Sequence, residues 1–241
     1  MKKVIDLSPN CSKTIRPNKD IKFIIIHYTG MQSEIESYKR LKNIQSKVSC
    51  HYFITRKGLI VQMIKDNNIA WHAGKSKWKN YTNLNRNSLG IELVNKGHQF
   101  GYQNFTNAQI SSLINLCKIL KKKYSIKKEN FLGHSDIAPL RKYDPGEKFP
   151  WKKLGKLSLG LWFELRKKKF ILNNTCKNKN LFYKNLYKIG YRYFELNRRT
   201  QKDKLIIKSF QRHYLPKSVT GKVDQKTLEI SHFLANALKI T

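Results

Sequence analysis

Residues 22–28 read KFIIIHY: four apolar residues in a row, three of them β-branched, closed by a histidine. A run this short and this rich in β-branched residues is a buried strand and not a helix. A buried strand needs other elements packed on it, so the chain is expected to build a layered core. His27 stands at the strand's end, where side chains at a sheet's edge open into a crevice.

The segments that follow supply the layers. Ser33 with Glu36 fits a capping box that opens a helix carrying Ile35, Tyr38, Leu41 and Ile44 on its apolar side. Residues 51–55 and 59–64 read as strands joined across Arg56-Lys57-Gly58, with Gly58 supplying the turn. Residues 73–87 are polar and turn-rich, hence a loop, and SLGIELV at 88–94 is another strand. Thr106 and Gln109 form a second capping box, before a helix with Ile110, Leu113, Ile114, Cys117, Leu120 and Tyr124 at three-four spacing. Residues 130–134 read as a short strand, and Pro139, Pro145 and Pro150 hold an ordered loop after it. Strands alternating with helices imply an α/β fold, a mixed sheet flanked by helices, over residues 1–172. Residues 173–180, within the Asn/Lys-rich stretch 171–180, are the expected linker. Three amphipathic segments in 181–241 imply a small C-terminal three-helix domain, with Asp224 as an N-cap.

Composition narrows the function classes. The 241 residues include 49 Lys+Arg against 15 Asp+Glu, a formal charge of +34. That balance attracts polyanions. The excess is mostly lysine in scattered short clusters (121–123, 152–156, 166–169) alongside abundant Asn and Ile, as compositional drift would give. No basic tract interleaved with aromatics marks an RNA-binding surface, so no specific nucleic-acid partner is expected. Four cysteines without CxxC spacing exclude a disulfide framework, and Cys117 on an apolar stripe reads as a buried thiol. No stretch is long and apolar enough for a membrane span, and residues 1–20 read as neither secretory signal nor lipobox. The sequence expectation is therefore a cytoplasmic monomer, with periplasmic export by a non-standard route as the alternative.

The chemistry lies in a constellation. His27 and His134 each end a strand, and Asp144 stands on a loop bounded by prolines, ten residues after His134. Taken singly, these would be a core histidine, another histidine and a turn cap. Together they offer two nitrogens and one oxygen, the donor set of a zinc site that keeps an open position for water. Glu92 lies mid-strand among apolar residues, where a carboxylate needs a partner or a task; a general base beside the metal is such a task. Lys142, two before Asp144, would share its side of an extended loop and stabilise an oxyanion. Trp71-His72 pairs an aromatic platform with a polar tip, suited to a sugar or peptide rim.

The motifs IIIHYTG, SCHYFI, AWHAG, SLGIELVN and GHSDIAPLRKYDPGEKFPW, in this order over residues 20–155, resemble the zinc-dependent N-acetylmuramoyl-L-alanine amidases. The likeness is to the AmiD type first and the AmpD type next, in a family that includes peptidoglycan recognition proteins and phage amidases. It implies Zn2+ on His27, His134 and Asp144, Glu92 as acid/base, Lys142 polarising the substrate carbonyl, and Trp71, His72 and Ala138 towards the substrate. The implied ligands are peptidoglycan or muropeptide fragments, cut between N-acetylmuramic acid (possibly in its 1,6-anhydro form) and L-Ala. A non-catalytic peptidoglycan-recognition protein is the alternative. Residues 209–231, with Phe210, Gln211, Arg212, Gly221, Asp224 and Thr227 in an FQRxx…G…D…T pattern, are similar to a three-helix peptidoglycan-binding module of the kind the AmiD type carries.

Overall fold

A computed structural model describes residues 2–164 and 175–238. It holds the strands β1 (Lys3–Ile5), β2 (Cys11–Ile15), β3 (Phe23–Tyr28), β4 (Tyr52–Ile54), β5 (Ile60–Gln62), β6 (Asn68–Ala70), β7 (Lys77–Trp78), β8 (Tyr81–Thr82), β9 (Ser88–Leu93) and β10 (Phe131–Gly133). The helices are α1 (Glu34–Lys42), α2 (Asn107–Tyr124), α3 (His134–Ile137), α4 (Trp151–Lys156), α5 (Thr175–Ile189), α6 (Asp203–Tyr214) and α7 (Gln225–Ala237). Six strands form one mixed sheet in the order β1-β5-β4-β9-β3-β10. β4, β9 and β10 run parallel to β3's direction, and β5 opposes β4 across the hairpin, where Gly58 takes φ +81°. The architecture is the expected mixed sheet flanked by helices.

Strand alternation sorts the two faces. Ile24 and Ile26 of β3, with Leu89, Ile91 and Leu93 of β9, pack on Ile110, Leu113, Cys117 and Leu120 of α2. The Thr106–Gln109 capping box opens that helix as expected, and the Cys117 thiol is free and buried. Phe23 and Ile25 face the other way and share a core with Phe182, Leu186, Phe210 and Leu228 of α5–α7. His27 follows the parity of Phe23 and Ile25. The face carrying His27 is therefore also the face on which the C-terminal helices pack.

The FQ…G…D…T pattern has a structural explanation. Gln211 Oε1 accepts from the Gly221 N–H at 2.8 Å, and its Nε2 donates to Thr227 Oγ1 at 3.2 Å, while Asp224 caps α7 by accepting from the Thr227 N–H at 2.7 Å.

Several expectations need correction. Ser33 caps α1 as read, but Ile35 is 66% exposed and Ile44, beyond the helix, 56% exposed; the packed side carries Ser37 and Leu41. The apolar spacing was real, yet only one turn of it meets the core. The loop 73–87 contains the two-residue strands β7 and β8, too short for any periodicity to register. Of the expected linker 173–180, the portion before Thr175 lies outside the described residues, and the remainder belongs to α5. Its Asn/Lys composition suggested a loop, but it leads into an amphipathic helix. The basic cluster 166–169 also lies outside the described residues. Among the described residues no helix is long and apolar enough to cross a membrane.

Candidate active site

Three strand ends converge on one corner. In the β3–β9 register His27 pairs with Glu92, and in the β10–β3 register Gly133 pairs with Ile26, so His134 follows beside His27. Asp144 comes back over them on its loop, where the Ser135 N–H donates to the Asp144 carbonyl at 2.9 Å. The loop is held from outside by Tyr102, whose hydroxyl donates to the Pro145 carbonyl at 2.6 Å and accepts from the Lys148 N–H at 3.0 Å. Gly146 takes φ +81° here, and a Cβ on it would lie 2.5 Å from that hydroxyl, so only glycine fits.

The result is a cluster of His27 Nδ1, His134 Nδ1 and Asp144 Oδ2. The two nitrogens stand 3.0 Å apart, and the oxygen lies 3.0 Å from one and 3.1 Å from the other. All three residues are buried. The surrounding hydrogen bonds fix where the protons are. Ser88 Oγ gives its proton to the Leu84 carbonyl at 2.6 Å and so accepts from His72 Nε2–H at 3.2 Å. His72 Nδ1 then accepts from His27 Nε2–H at 2.9 Å, which leaves His27 Nδ1 a bare lone pair. His134 Nε2 lies 3.1 Å from the Ala73 carbonyl and 3.3 Å from Arg141 Nη2, which turns its Nδ1 towards His27 and Asp144. Burial foremost, with His134 next, pushes His27 down to about 4, so this imidazole is neutral at physiological pH. Two imidazole nitrogens and a carboxylate oxygen thus crowd against one another, with electron-rich atoms face to face. A cation relieves that repulsion, and two imidazoles with one carboxylate suit zinc.

Glu92 is half-buried beside this cluster, and its Oε2 is enclosed without a hydrogen-bond partner. Burial first, and the Asp144 charge second, push its carboxyl up to about 8, against the pull of Lys142. Its conjugate base is thereby strong enough to take a proton near neutral pH. Lys142 is half-buried and lines the same groove, a cavity of about 760 Å³ that also includes Trp71, Tyr28 and Arg40.

Of the other residues expected on the substrate side, His72 lines the groove with Trp71, while Ala138 lies in the core. His72 is 9% exposed, and its ring also backs His27, whose Nε2 it meets at 2.9 Å and so orients. Gly90 makes the room, since a Cβ there would fall 2.3 Å from His72 Cγ. Ala138 is buried in the apolar core with Trp78 and Ile137; its carbonyl accepts from the Arg141 and Lys142 N–H groups and closes the turn that presents them. Arg141 was not singled out from the sequence. Its Nη2 donates to the Ala73 carbonyl at 2.5 Å, the acceptor that His134 also uses, and nothing local in the LRKYD run marks this long-range contact.

Comparison with known proteins finds a family and close structural relatives. The family model for N-acetylmuramoyl-L-alanine amidase matches residues 17–147. The chain is 34% identical over 229 residues to N-acetylmuramoyl-L-alanine amidase AmiD of Escherichia coli, covering 89% of this chain and 82% of that protein. It is 35% identical over 165 residues to 1,6-anhydro-N-acetylmuramyl-L-alanine amidase AmpD of Haemophilus influenzae, covering 61% and 86%. Among solved structures, E. coli AmiD in complex with anhydro-N-acetylmuramic acid-L-Ala-D-gamma-Glu-L-Lys superposes with TM-score 0.79 at 31% identity, covering 94% of this chain and 92% of that one. AmpDh3 of Pseudomonas aeruginosa superposes with TM-score 0.82 at 27% identity, covering 98% and 100%.

Proposed function

This chain belongs to the N-acetylmuramoyl-L-alanine amidase family, and we propose that it hydrolyses the amide between N-acetylmuramic acid and L-Ala of muropeptides with a zinc ion held by His27, His134 and Asp144. The observation that carries the metal is the meeting of two imidazole nitrogens and a carboxylate oxygen within 3.1 Å. Zinc on three protein ligands supplies Lewis acidity towards water and a carbonyl oxygen.

The chain's own residues do the rest. Glu92 takes a proton from the attacking water as the new C–O bond forms at the lactyl carbonyl. The Lys142 ammonium faces the oxygen on which negative charge develops. Glu92 then returns the proton to the L-Ala nitrogen as the C–N bond breaks, so water ends divided between a carboxylate and an amine. Trp71 offers an aromatic face on the groove wall to the sugar or peptide. The complex of E. coli AmiD with an anhydro-muramyl tripeptide supports muropeptide fragments, 1,6-anhydro forms included, as substrates here.

Mass spectrometry of products from anhydro- and reduced muropeptides tests the reading: free stem peptide beginning at L-Ala is expected, and its absence with zinc-loaded protein sinks it. Chelation should abolish turnover and one equivalent of zinc should restore it; undiminished turnover in metal-free protein rules out the metal. Lys142→Met should lower kcat by ~10²-fold with zinc content unchanged.

A further inference from the structure

Helix α6 turns one face to the two segments that carry His134 and Asp144. Ser209 Oγ donates to the Ser135 carbonyl at 2.8 Å, and His213 Nδ1 donates to Asp136 Oδ2 at 2.8 Å. The Arg212 guanidinium lies 4.6 Å from the centre of the Tyr143 ring. Positions 209, 212 and 213 are spaced i, i+3, i+4 and so share a side of the helix. Their partners adjoin metal-binding positions: Ser135 and Asp136 follow His134, and Tyr143 precedes Asp144.

Asp136 is the centre of this arrangement. It is 1% exposed, and a carboxylate so deeply buried depends on its donors. Its Oδ1 accepts from the Tyr191 hydroxyl at 2.6 Å, and its Oδ2 accepts from the Gly133 N–H at 2.7 Å as well as from His213. Two of the three donor residues, Tyr191 and His213, come from the C-terminal part. His213 is held in turn, its ring stacked 3.9 Å from Trp151 and 4.1 Å from Tyr214, so that Nδ1 has one direction open to it. The C-terminal helices therefore complete the hydrogen bonding of the very turn that presents His134.

We propose that Ser209, Arg212 and His213 are positioning residues, a clamp from α6 that holds the His134 and Asp144 segments in one metal-binding geometry. This rests on the zinc reading above. It makes the C-terminal helices part of the metal site's support and not only an appended module. Simple apolar packing at the interface would behave differently, because a leucine filling the place of His213 would serve packing and leave the metal untouched.

The test is zinc affinity by chelator competition, together with the visible absorption of the cobalt(II) form, on full-length wild type, His213→Leu, His213→Asn and Ser209→Ala. His213→Leu should weaken zinc by ~10–100-fold and alter the cobalt bands, while His213→Asn, whose amide nitrogen takes the place of Nδ1, should recover to within about threefold. A folded His213→Leu protein with wild-type affinity and an unchanged cobalt spectrum overturns the clamp, as does failure of His213→Asn to recover affinity lost by the leucine variant. Should His213→Leu not fold, Ser209→Ala decides: weakened zinc upholds the clamp and wild-type affinity overturns it. Wild-type protein that binds no zinc removes the metal reading and the clamp with it, an outcome distinct from intact wild-type binding with insensitive variants.

Discussion

Glu92→Gln should lower kcat on a muropeptide by ~10³-fold while zinc content stays at one per chain, because the substitution keeps the shape of the side chain and removes its basicity. The same variant should carry a second signature in the metal-free protein. Native Glu92 holds its proton up to about 8 because it is buried beside Asp144, whereas in the unfolded chain it releases that proton near the ordinary value of 4.5. Between these values the unfolded state binds fewer protons, so wild-type stability falls as pH rises through the window. Glutamine has no proton to lose. The advantage of Glu92→Gln should be nil near pH 4, grow through neutrality and level off above pH 8 at roughly 5 kcal/mol. Urea denaturation of metal-free wild type and variant at pH 4, 6 and 8 measures it. A stability difference that does not change with pH shows that Glu92 is not held protonated, and an active Glu92→Gln enzyme removes its role as base.

What could be read from the sequence followed from locality. His27 and His134 were legible because each closes an apolar strand, and Asp144 because prolines fix its loop. Glu92 stood out as a carboxylate inside an otherwise apolar strand. Helix α2 was legible because its stripe meets the core over about four turns, whereas the stripe of α1 extends past its single packed turn. The docking of α6 was not legible: Ser209 and His213 bond to Ser135 and Asp136 across more than seventy residues, and amphipathicity says only that a face is buried, not against what. The same limit hid the contact of His72 with His27. Next to Trp71 it reads as a groove residue, and only the closeness of its ring to Gly90 of β9 and to His27 Nε2 shows that it also backs His27.

That pairing gives the sharpest structural expectation. Gly90 lies in a regular strand position, so alanine meets no backbone penalty there, and the whole effect is steric. A Cβ would fall 2.3 Å from His72 Cγ and 2.6 Å from its Cδ2 and Nδ1, so the ring must move. Moving it breaks the bonds to His27 Nε2 and Ser88 Oγ, leaves buried polar atoms unpaired, and frees His27 to rotate. Overpacking and the lost hydrogen bonds together should cost about 3 kcal/mol, and the loss of the ligand's orienting partner should weaken zinc by ~10–100-fold. The double variant Gly90→Ala/His72→Ala separates the two effects. Removing the ring relieves the clash, so the double variant should be more stable than Gly90→Ala alone. Zinc affinity should stay low, because His27 still lacks its acceptor. Denaturation midpoints and chelator competition on the two variants and wild type give both quantities. If Gly90→Ala binds zinc as wild type does, His72 has no part in orienting His27; if the double variant regains full affinity, the loss came from crowding alone.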